Sequence, residues 1–523
     1  MSLGWIDIAV LVLYFGATMG MGFYFARKNT NTEEYFLGGR SFPGWALGLS
    51  LLGTSISSVT FIAFPADTFK TTWIRFLPHI VFPLAALVAA WFILPFFRRG
   101  TISSAYEYLG KRFGGSISCY AASLFLIIQL VRTSTIVYLV SLLLQSITGL
   151  DMLWCILLTG GITALYTTTG GFDAVIWTDV LQTITLIFGS ILILAIVVHA
   201  LPGGLGQILS DGTEFHKFSF GQWSAEKGIQ PLARGFSFSE KTVLMMLVAG
   251  FVGFLTGQFD QTSIQRWCSA KSAKEARKSI YFLAFSSLPV WGSFMLVGTA
   301  IWVYFHHFPD TVAAEMLDGT RKAEEIVPYF VINYLPPGIS GIVIAAALAA
   351  AMSSLSSSIN AVGMVWVQDI YQKFMVKDRD DKHYLKMGFA ASAAVSVLMM
   401  LGAWWLYKTP TKTLMDFGMI LGALTISGLA GIFLVGMLTR LGDARAIWAG
   451  IACNMLFAGY VLLSDRALLP ESLCVPFDLY YTAIVGNAIT ILVTVLAAKF
   501  VWRSRRTDFA NLTVWDQDKT PLV

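Results

Sequence analysis

An apolar stretch near the N-terminus is interrupted by small and hydroxyl-bearing residues at positions 53–60, GTSISSVT. Glycine and serine weaken an α-helix locally, because glycine adds backbone freedom and the serine hydroxyl competes for backbone hydrogen bonds. Main-chain carbonyls released by such a break are good ligands for sodium, a hard cation that prefers oxygen. The stretch therefore predicts a cation site, with a small-residue packing seam between helices as the alternative.

A second run of small residues, alanines followed by serines, covers positions 345–358. Ser353, Ser356 and Ser357 are spaced i, i+3 and i+4, so a helix would present their hydroxyls on one face. Such a face would either ligate a cation or hydrogen-bond to a facing helix. The residues alone leave both possibilities open.

Arg132 lies in the middle of the apolar segment 117–147. Its guanidinium stays charged in proteins, and at lipid depth it costs at least a few kcal/mol unless it is paired or hydrated. A forked clamp for the carboxylate of a solute is one role for it. The alternative is a structural partner such as Asp179, which is itself a candidate cation ligand, proton site or helix-end charge.

Other charged residues lie nearer the ends of apolar segments. Arg75 and His79 are four residues apart, so they face the same way and would line an outer vestibule that attracts anions. A snorkelling arginine and a capped histidine explain the pair equally well. We interpret Asp369 and Asp416 as solvated or structural.

The composition shows which elements must position these residues. Of 523 residues, 56% are hydrophobic and 13% charged, whereas a soluble domain has about 25% charged residues. This excludes a soluble enzyme and a nucleic-acid binder as the main interpretation. The chain has neither a GxxxxGK[ST] nor an HExxH motif, so we expect no ATPase, no resident metal centre of that kind and no enzyme.

The hydrocarbon core of a bilayer needs roughly 20 apolar residues per helix. By this measure the sequence predicts about thirteen membrane spans, with two longer outer segments at 202–240 and 307–338. Lys and Arg are at least twice as frequent in one set of loops, which places the N-terminus outside and the C-terminus in the cytoplasm. The predicted spans are 5–26, 43–69, 76–97, 117–147, 151–169, 174–201, 241–262, 276–306, 339–371, 384–407, 411–438, 445–464 and 478–502.

Several motifs occur in a characteristic order along nearly the whole chain. They are EYFLGGR at 34–40, PGW at 43–45, YTTTGGFDAVIWTD at 166–179, QR at 265–266, the alanine–serine run and DIY at 369–371. With these motifs the chain resembles the sodium/solute symporter family. The resemblance implies an all-α membrane protein of the leucine-transporter type, in which two inverted repeats of five helices follow one extra N-terminal helix.

The resemblance also implies a division of the chain. The parts would be an N-terminal helix at 1–30, a first repeat at 43–201, a second repeat at 241–438, two C-terminal helices at 439–502 and a cytoplasmic tail at 503–523. The first helix of the second repeat carries Gly250, Gly253, Gly257 and Gln258. These residues would interrupt this helix, just as residues 53–60 interrupt the first helix of the first repeat. Paired interruptions of this kind are the expected sign of a central binding site.

Sodium ligands follow from the resemblance residue by residue. The first site would use the carbonyls of Gly53, Ile56 and Ala350 and the hydroxyls of Ser353 and Ser354. Some relatives, those similar to the sialic acid transporters, have a second site. Its ligands here would be Asp179, Ser353, Ser356 and Ser357.

The sialic acid branch also supplies candidates for the substrate site. Arg132 would bind the substrate carboxylate. The other candidates are Ser55, Ser57, Thr60, Arg75, His79 and Gln258. The branch commonly has an aromatic residue where Arg75 stands and a glutamine where His79 stands, so this chain departs from it there.

The implied function is sodium-coupled import of a small carboxylated solute, most closely sialic acid or a related sugar acid, across a bacterial inner membrane. A sodium symporter for a neutral sugar, polyol or monocarboxylate, and a membrane sensor, remain the alternatives. The partners would be the solute, one or two sodium ions and the lipid bilayer, with no nucleic acid and no obligatory protein partner.

Overall fold

A computed structural model of the chain describes residues 4–98, 102–224, 228–409, 428–466, 468–503 and 509–516. Within these ranges the protein is almost entirely helical, because long apolar segments at lipid depth must satisfy their backbone hydrogen bonds internally. A two-stranded antiparallel hairpin in an outer segment is the only sheet among the described residues.

Among the described residues, the first half of the chain has nine main helices and the hairpin. The helices are α1 (Trp5–Ala26), α2 (Thr32–Leu37), α3 (Gly44–Ser55), α4 (Ser58–Lys70), α5 (Ile74–Arg98), α6 (Ala105–Phe113), α7 (Gly115–Thr148), α8 (Met152–Ala200) and α9 (Gly204–Glu214). Strands β1 (Gln222–Ser224) and β2 (Gly228–Gln230) follow.

The described part of the second half contributes ten main helices. They are α10 (Val243–Gly257), α11 (Gln261–Ser269), α12 (Ala273–His307), α13 (Thr311–Asp318), α14 (Ile326–Tyr334), α15 (Ile339–Met375), α16 (Asp381–Lys408), α17 (Gly428–Leu438), α18 (Ala444–Asp465) and α19 (Leu479–Val501). The short helices α9, α13 and α14 lie in the two predicted outer segments.

Nine of the described helices are long and apolar enough to cross a membrane, and two bent pairs raise the number to 11. Most of the predicted span 411–438 lies outside the described residues, and so does Asp416. The structure describes only the end of this span, as α17. The total of thirteen therefore stays a prediction.

Two predicted spans, 151–169 and 174–201, meet within α8. At 49 residues, α8 would be about 74 Å long if straight, more than twice the hydrocarbon thickness. Gly171 interrupts it with φ 62° and ψ −155°, a conformation that is open to glycine but costly for other residues. A Cβ there would also crowd the Tyr35 carbonyl, 2.9 Å away. The structure therefore has a break close to the predicted boundary.

Helix α15 forms the centre of the bundle. Every residue from 343 to 365 is buried, and the small alanine and serine side chains let neighbouring helices approach closely. Helix α1 lies at the periphery, where Trp5, Leu13 and Tyr24 are 79%, 73% and 68% exposed. Lipid rather than protein is the expected neighbour of these side chains.

The outer segment 202–240 is attached to the end of α4 through Lys217. The Lys217 ammonium donates to the Phe69 carbonyl at 2.8 Å and the Thr71 carbonyl at 3.3 Å. It also lies over the Trp302 ring, 4.6 Å from the centroid. A cation at this position satisfies carbonyls that the helix end leaves free.

Lys217 predicts a pH dependence of stability. Burial lowers the pKa of Lys217 to about 7, well below the value of about 10.4 expected in the unfolded chain. Between these values the unfolded state binds more protons, so stability should rise with pH by up to about 1.4 kcal/mol per unit from pH 7 to pH 10. Thermal unfolding of the wild type and Lys217→Met at several pH values measures this. If the stabilities of the two proteins change with pH in the same way, Lys217 is not the titrating group.

Candidate functional site

The interruption predicted at positions 53–60 is confirmed as a break between α3 and α4. Helix α3 ends at Ser55, and Ile56 and Ser57 have extended backbones, with ψ of 107° and 171°. The two helical segments are inclined by 57°. The Ser55 hydroxyl donates back to the Leu52 carbonyl at 2.7 Å, a bond that competes with helix continuation.

The second predicted interruption is also confirmed, between α10 and α11. Helix α10 ends at Gly257, α11 begins at Gln261, and the inclination is again 57°. Asp260 caps α11, since its Oδ1 accepts from the Thr262 amide at 2.8 Å. Broken backbone at this depth is tolerated where it lines a cavity or is buried in protein.

The proposed ligands of the first sodium site lie on facing segments of α3 and α15. The Ser354 hydroxyl donates to the Thr54 carbonyl at 3.3 Å and the Ala350 carbonyl at 3.4 Å. A Cβ built on Gly53 would be 3.2 Å from Ser353 Oγ. The structure therefore brings the break and the serine helix together.

Ser353 has an unusual environment among these residues. It is 1% exposed, and its hydroxyl has no hydrogen-bond partner anywhere in the described part of the chain. A buried polar group without a partner costs about 1–3 kcal/mol. The surrounding donors are hydroxyl and carbonyl oxygens, the set that a hard alkali cation prefers.

Gly53 provides a test of this contact. A methyl group at Gly53 would overlap with Thr183 Oγ1 on α8 and press on Ser353 Oγ. We expect Gly53→Ala to cost about 1–3 kcal/mol by overpacking and to weaken sodium binding at least tenfold. Sodium titration of thermal stability measures both effects. Gly16→Ala in α1, where a Cβ meets nothing within 4 Å, is the matched control and should change neither.

The residues proposed for the second sodium site also converge. Asp179 on α8 is fully buried, and its Oδ1 accepts from Ser356 and its Oδ2 from Ser357, each at 3.4 Å. Ser50 on α3 donates to Oδ2 at 2.5 Å. Together with Ser353, these groups form a polar cluster between three helices at the centre of the bundle.

Arg266 on α11 occupies this cluster. Its Nη2 lies 2.9 Å from Asp179 Oδ2, 2.5 Å from Ser357 Oγ and 2.7 Å from Thr54 Oγ1. Nε donates to Ser50 at 2.8 Å and Nη1 to the Thr262 carbonyl at 2.8 Å. The guanidinium thus joins α3, α8, α11 and α15.

Arg266 requires a correction to the sequence analysis. The Lys- and Arg-rich loops that give the predicted orientation include the one with Arg266, Lys271 and Lys274, and Arg132 is the structural partner considered there for Asp179. Instead Arg266 is 1% exposed and is itself that partner. The signal available in the sequence was an arginine at the end of an interrupted apolar segment, within a family motif.

Arg132 lies on α7 with its side chain exposed, and no described residue forms a hydrogen bond or ion pair with it. One turn earlier, Gln129 is buried, accepts from Ser358 at 3.0 Å and donates to Asp260 at 3.4 Å. This face of α7 therefore adjoins α15 and the break before α11. Arg132 is a mid-span cation that is free to bind an anionic group.

The remaining substrate candidates lie around the two breaks. Ser55 is exposed and Ser57 and Thr60 are half-buried. On the second break, Gln258 is buried and donates to the Phe254 carbonyl at 3.2 Å. A Cβ on Gly253 or Gly257 would meet no atom within 4 Å, which indicates open space beside α10.

Arg75, whose side chain is exposed, and His79 also make local contacts with each other and with neighbouring residues. The His79 Nδ1 is 2.9 Å from the Arg75 carbonyl, and Arg75 forms an ion pair with Asp67. The His79 ring packs edge-on against Phe254 and against Trp291, whose centroids are 5.2 and 4.2 Å away. Arg75 is therefore already neutralised by a carboxylate.

The fold, the broken helices and the oxygen-lined cluster are those expected of a sodium-coupled secondary transporter of the membrane. The model of the sodium:solute symporter family matches residues 35–453, and the chain belongs to this family.

Individual relatives agree with this assignment. The chain is 27% identical to a sodium/sialic acid symporter of Aliivibrio fischeri, over 97% of this chain and 95% of the relative. It is 30% identical to one of Proteus mirabilis, over 87% and 88%. A solved Na⁺-coupled sialic acid symporter in a substrate-bound outward-open state superposes with a TM-score of 0.82 at 26% identity, covering 95% of this chain and 98% of that one.

Proposed function

We propose that this protein imports a small carboxylated solute together with sodium, and that the solute is sialic acid or a closely related sugar acid. The observation that carries the proposal is Arg132, an arginine in mid-span that has no counter-ion among the described residues. A guanidinium binds a carboxylate through two parallel hydrogen bonds. Two relatives named as sodium/sialic acid symporters support the choice of solute.

The solute would lie between the two breaks, with Arg132 on its carboxylate. Ser55, Ser57 and Thr60 would contact it from the first break and Gln258 from the second. His79 would border the outer side of the site, where its aromatic neighbours leave it little freedom. In this proposal the hydroxyls that would contact the solute lie on the same break whose carbonyls would hold the first sodium.

The architecture that we propose is two inverted repeats, 43–201 and 241–438, behind the N-terminal helix 1–30. The matching 57° bends at the start of each repeat support it. Two C-terminal helices at 439–502 and a tail at 503–523 complete the chain. With thirteen spans in a bacterial inner membrane, the N-terminus would be outside and the C-terminus cytoplasmic.

The energy supply favours two sodium ions. At about 100 mV and a tenfold sodium gradient, each sodium contributes roughly 2.3 kcal/mol electrically and about 1.4 kcal/mol chemically. When one sodium carries a monoanion the charges cancel, so about 1.4 kcal/mol remains, a tenfold accumulation. A second sodium raises this to roughly 5.1 kcal/mol, or several thousandfold. The second site at Asp179 would therefore be worth most to an importer of anions.

Coupling would arise because sodium and solute stabilise the same break. Sodium at Ser353 and Ser354 would fix the position of α3 relative to α15, and with it the hydroxyls of Ser57 and Thr60. A solute bound to those hydroxyls would in turn hold the carbonyls in place. Thermodynamic linkage then requires each ligand to tighten the other by the same factor.

Uptake into proteoliposomes tests the function directly. We expect sialic acid to accumulate under an inward sodium gradient, and to accumulate further under an inside-negative potential if two sodium ions move with each monoanion. Replacing sodium by choline should abolish accumulation. Preference for glucose, a polyol or lactate in the same panel would support a neutral-sugar or monocarboxylate symporter instead. Binding without translocation of any solute would favour a sensor.

A further inference from the structure

Arg266 forms hydrogen bonds to the same oxygen atoms that would ligate a second sodium ion. Its Nη2 contacts Asp179 Oδ2 at 2.9 Å and Ser357 Oγ at 2.5 Å, and both residues belong to the proposed second site. Two cations that share one carboxylate repel each other strongly at this depth. Sodium binding and this arginine position therefore compete.

In the transporter without bound ligands, the charge of Asp179 must still be neutralised, and the contact with Arg266 does this. A symporter that has released its ligands must return across the membrane without them. Asp179 is fully buried, and a buried carboxylate without a counter-charge is very costly. In the sodium-free state a proton or another cation must neutralise it, and Arg266 is the charged group in contact with it.

We propose that Arg266 is a tethered cation that takes the place of the second sodium in the unloaded transporter and leaves when sodium binds. This inference rests on the proposed function, and it adds how the second site is regulated. The contacts of Arg266 with four helices make the unloaded state a closed, neutral core. Sodium would release those contacts at the moment of loading.

A displaced guanidinium needs a new counter-charge, because it cannot lose its proton. Asp260 is available at the start of the same helix, α11. Its Oδ2 accepts only a long hydrogen bond, 3.4 Å, from Gln129 among the described residues. A small shift of α11 would thus exchange Asp179 for Asp260 as the partner of Arg266.

Sodium titration of thermal stability tests the competition, with choline holding the ionic strength constant. Arg266→Gln removes the charge, and Arg266→Lys keeps it but removes the planar fork that contacts several oxygens at once. We expect Arg266→Gln to reach half-maximal stabilisation at a sodium concentration at least tenfold below that of the wild type, and Arg266→Lys, which still competes through its charge, to lie between the two. If Arg266→Gln keeps the wild-type midpoint, the arginine does not compete and the proposal is wrong.

The matched control is Arg98→Gln. Arg98 is also a buried arginine next to α11, where it donates to the carbonyls of Trp267 and Cys268 at 3.3 Å. Its removal should destabilise the protein without moving the sodium midpoint. An equal shift in Arg98→Gln would mean that any loss of buried charge changes the midpoint, which would overturn the proposal.

Transport assays separate the return step from loading. Net uptake requires the empty transporter to return, whereas exchange of internal for external solute at saturating sodium does not. We expect Arg266→Gln to reduce net uptake at least tenfold more than exchange. An equal loss of both would show that Arg266 is only structural.

These outcomes separate this inference from the proposed function. An unchanged sodium midpoint in Arg266→Gln, with sodium-dependent uptake intact in the wild type, contradicts the tethered cation alone. Absence of any sodium response in the wild type and in all variants contradicts both. Should Arg266→Gln not fold, structures of the wild type in sodium and in choline decide: the contact between Arg266 and Ser357 must be lost in sodium, and its persistence would overturn the proposal.

Discussion

Replacing Arg132 by alanine should reduce uptake of the carboxylated solute by roughly a hundredfold, or about 2.7 kcal/mol. The physical reason is the loss of two parallel charge-assisted hydrogen bonds to the carboxylate. The loss should appear in solute affinity, measured by calorimetry and by the concentration dependence of uptake in proteoliposomes.

Two comparisons make this prediction specific to the carboxylate. Arg132→Lys keeps the charge but not the fork, so its affinity should lie between those of the wild type and alanine. Sodium stabilisation without solute should stay at the wild-type level in Arg132→Ala, because the proposed sodium ligands lie on α3, α8 and α15. Unchanged solute affinity in Arg132→Ala would show that the clamp is elsewhere.

Replacing Asp179 by alanine should destabilise the protein by about 3–5 kcal/mol. This substitution leaves the Arg266 guanidinium, 1% exposed, without its counter-ion, and an uncompensated buried charge is among the most costly defects in a protein core. The fall should be visible as a lower unfolding temperature in detergent in choline, the condition in which Arg266 is paired with Asp179.

A double-mutant cycle shows whether the pair is the cause. Asp179→Ala combined with Arg266→Met removes both charges, and it should recover much of the stability that the single variant loses. Asp369→Ala is the matched control: Asp369 is also buried, but its partner Lys373 is 33% exposed at the side chain and can reach water. Its loss should be clearly smaller. Additive effects of the Asp179 and Arg266 substitutions would contradict the assigned pair.

The parts of the structure that sequence analysis predicted are those decided locally. The breaks at 53–60 and after Gly257 follow from glycine and serine residues that weaken the helix where they stand. The common face of Ser353, Ser356 and Ser357 follows from helix geometry alone. Helix bounds such as Trp5–Ala26 follow from the length of apolar segments.

The part that sequence analysis missed depends on contacts between distant segments. Arg266 is separated from Asp179 by 87 positions, and nothing next to either residue indicates that they meet. The density of charges around Arg266, with Lys271 and Lys274 close behind it, is typical of a cytoplasmic loop. Only the bend between α10 and α11 turns Arg266 into the core, and the direction of a bend cannot be inferred from composition.

The most direct test of the account is the affinity for sialic acid measured in sodium and in choline on the same purified protein. We predict at least tenfold tighter binding in sodium, with sodium affinity tightened by the same factor when the solute is saturating. Ser354→Ala should reduce both effects together. Equal solute affinity in the two salts would contradict the claim that the ion and the solute stabilise one broken helix.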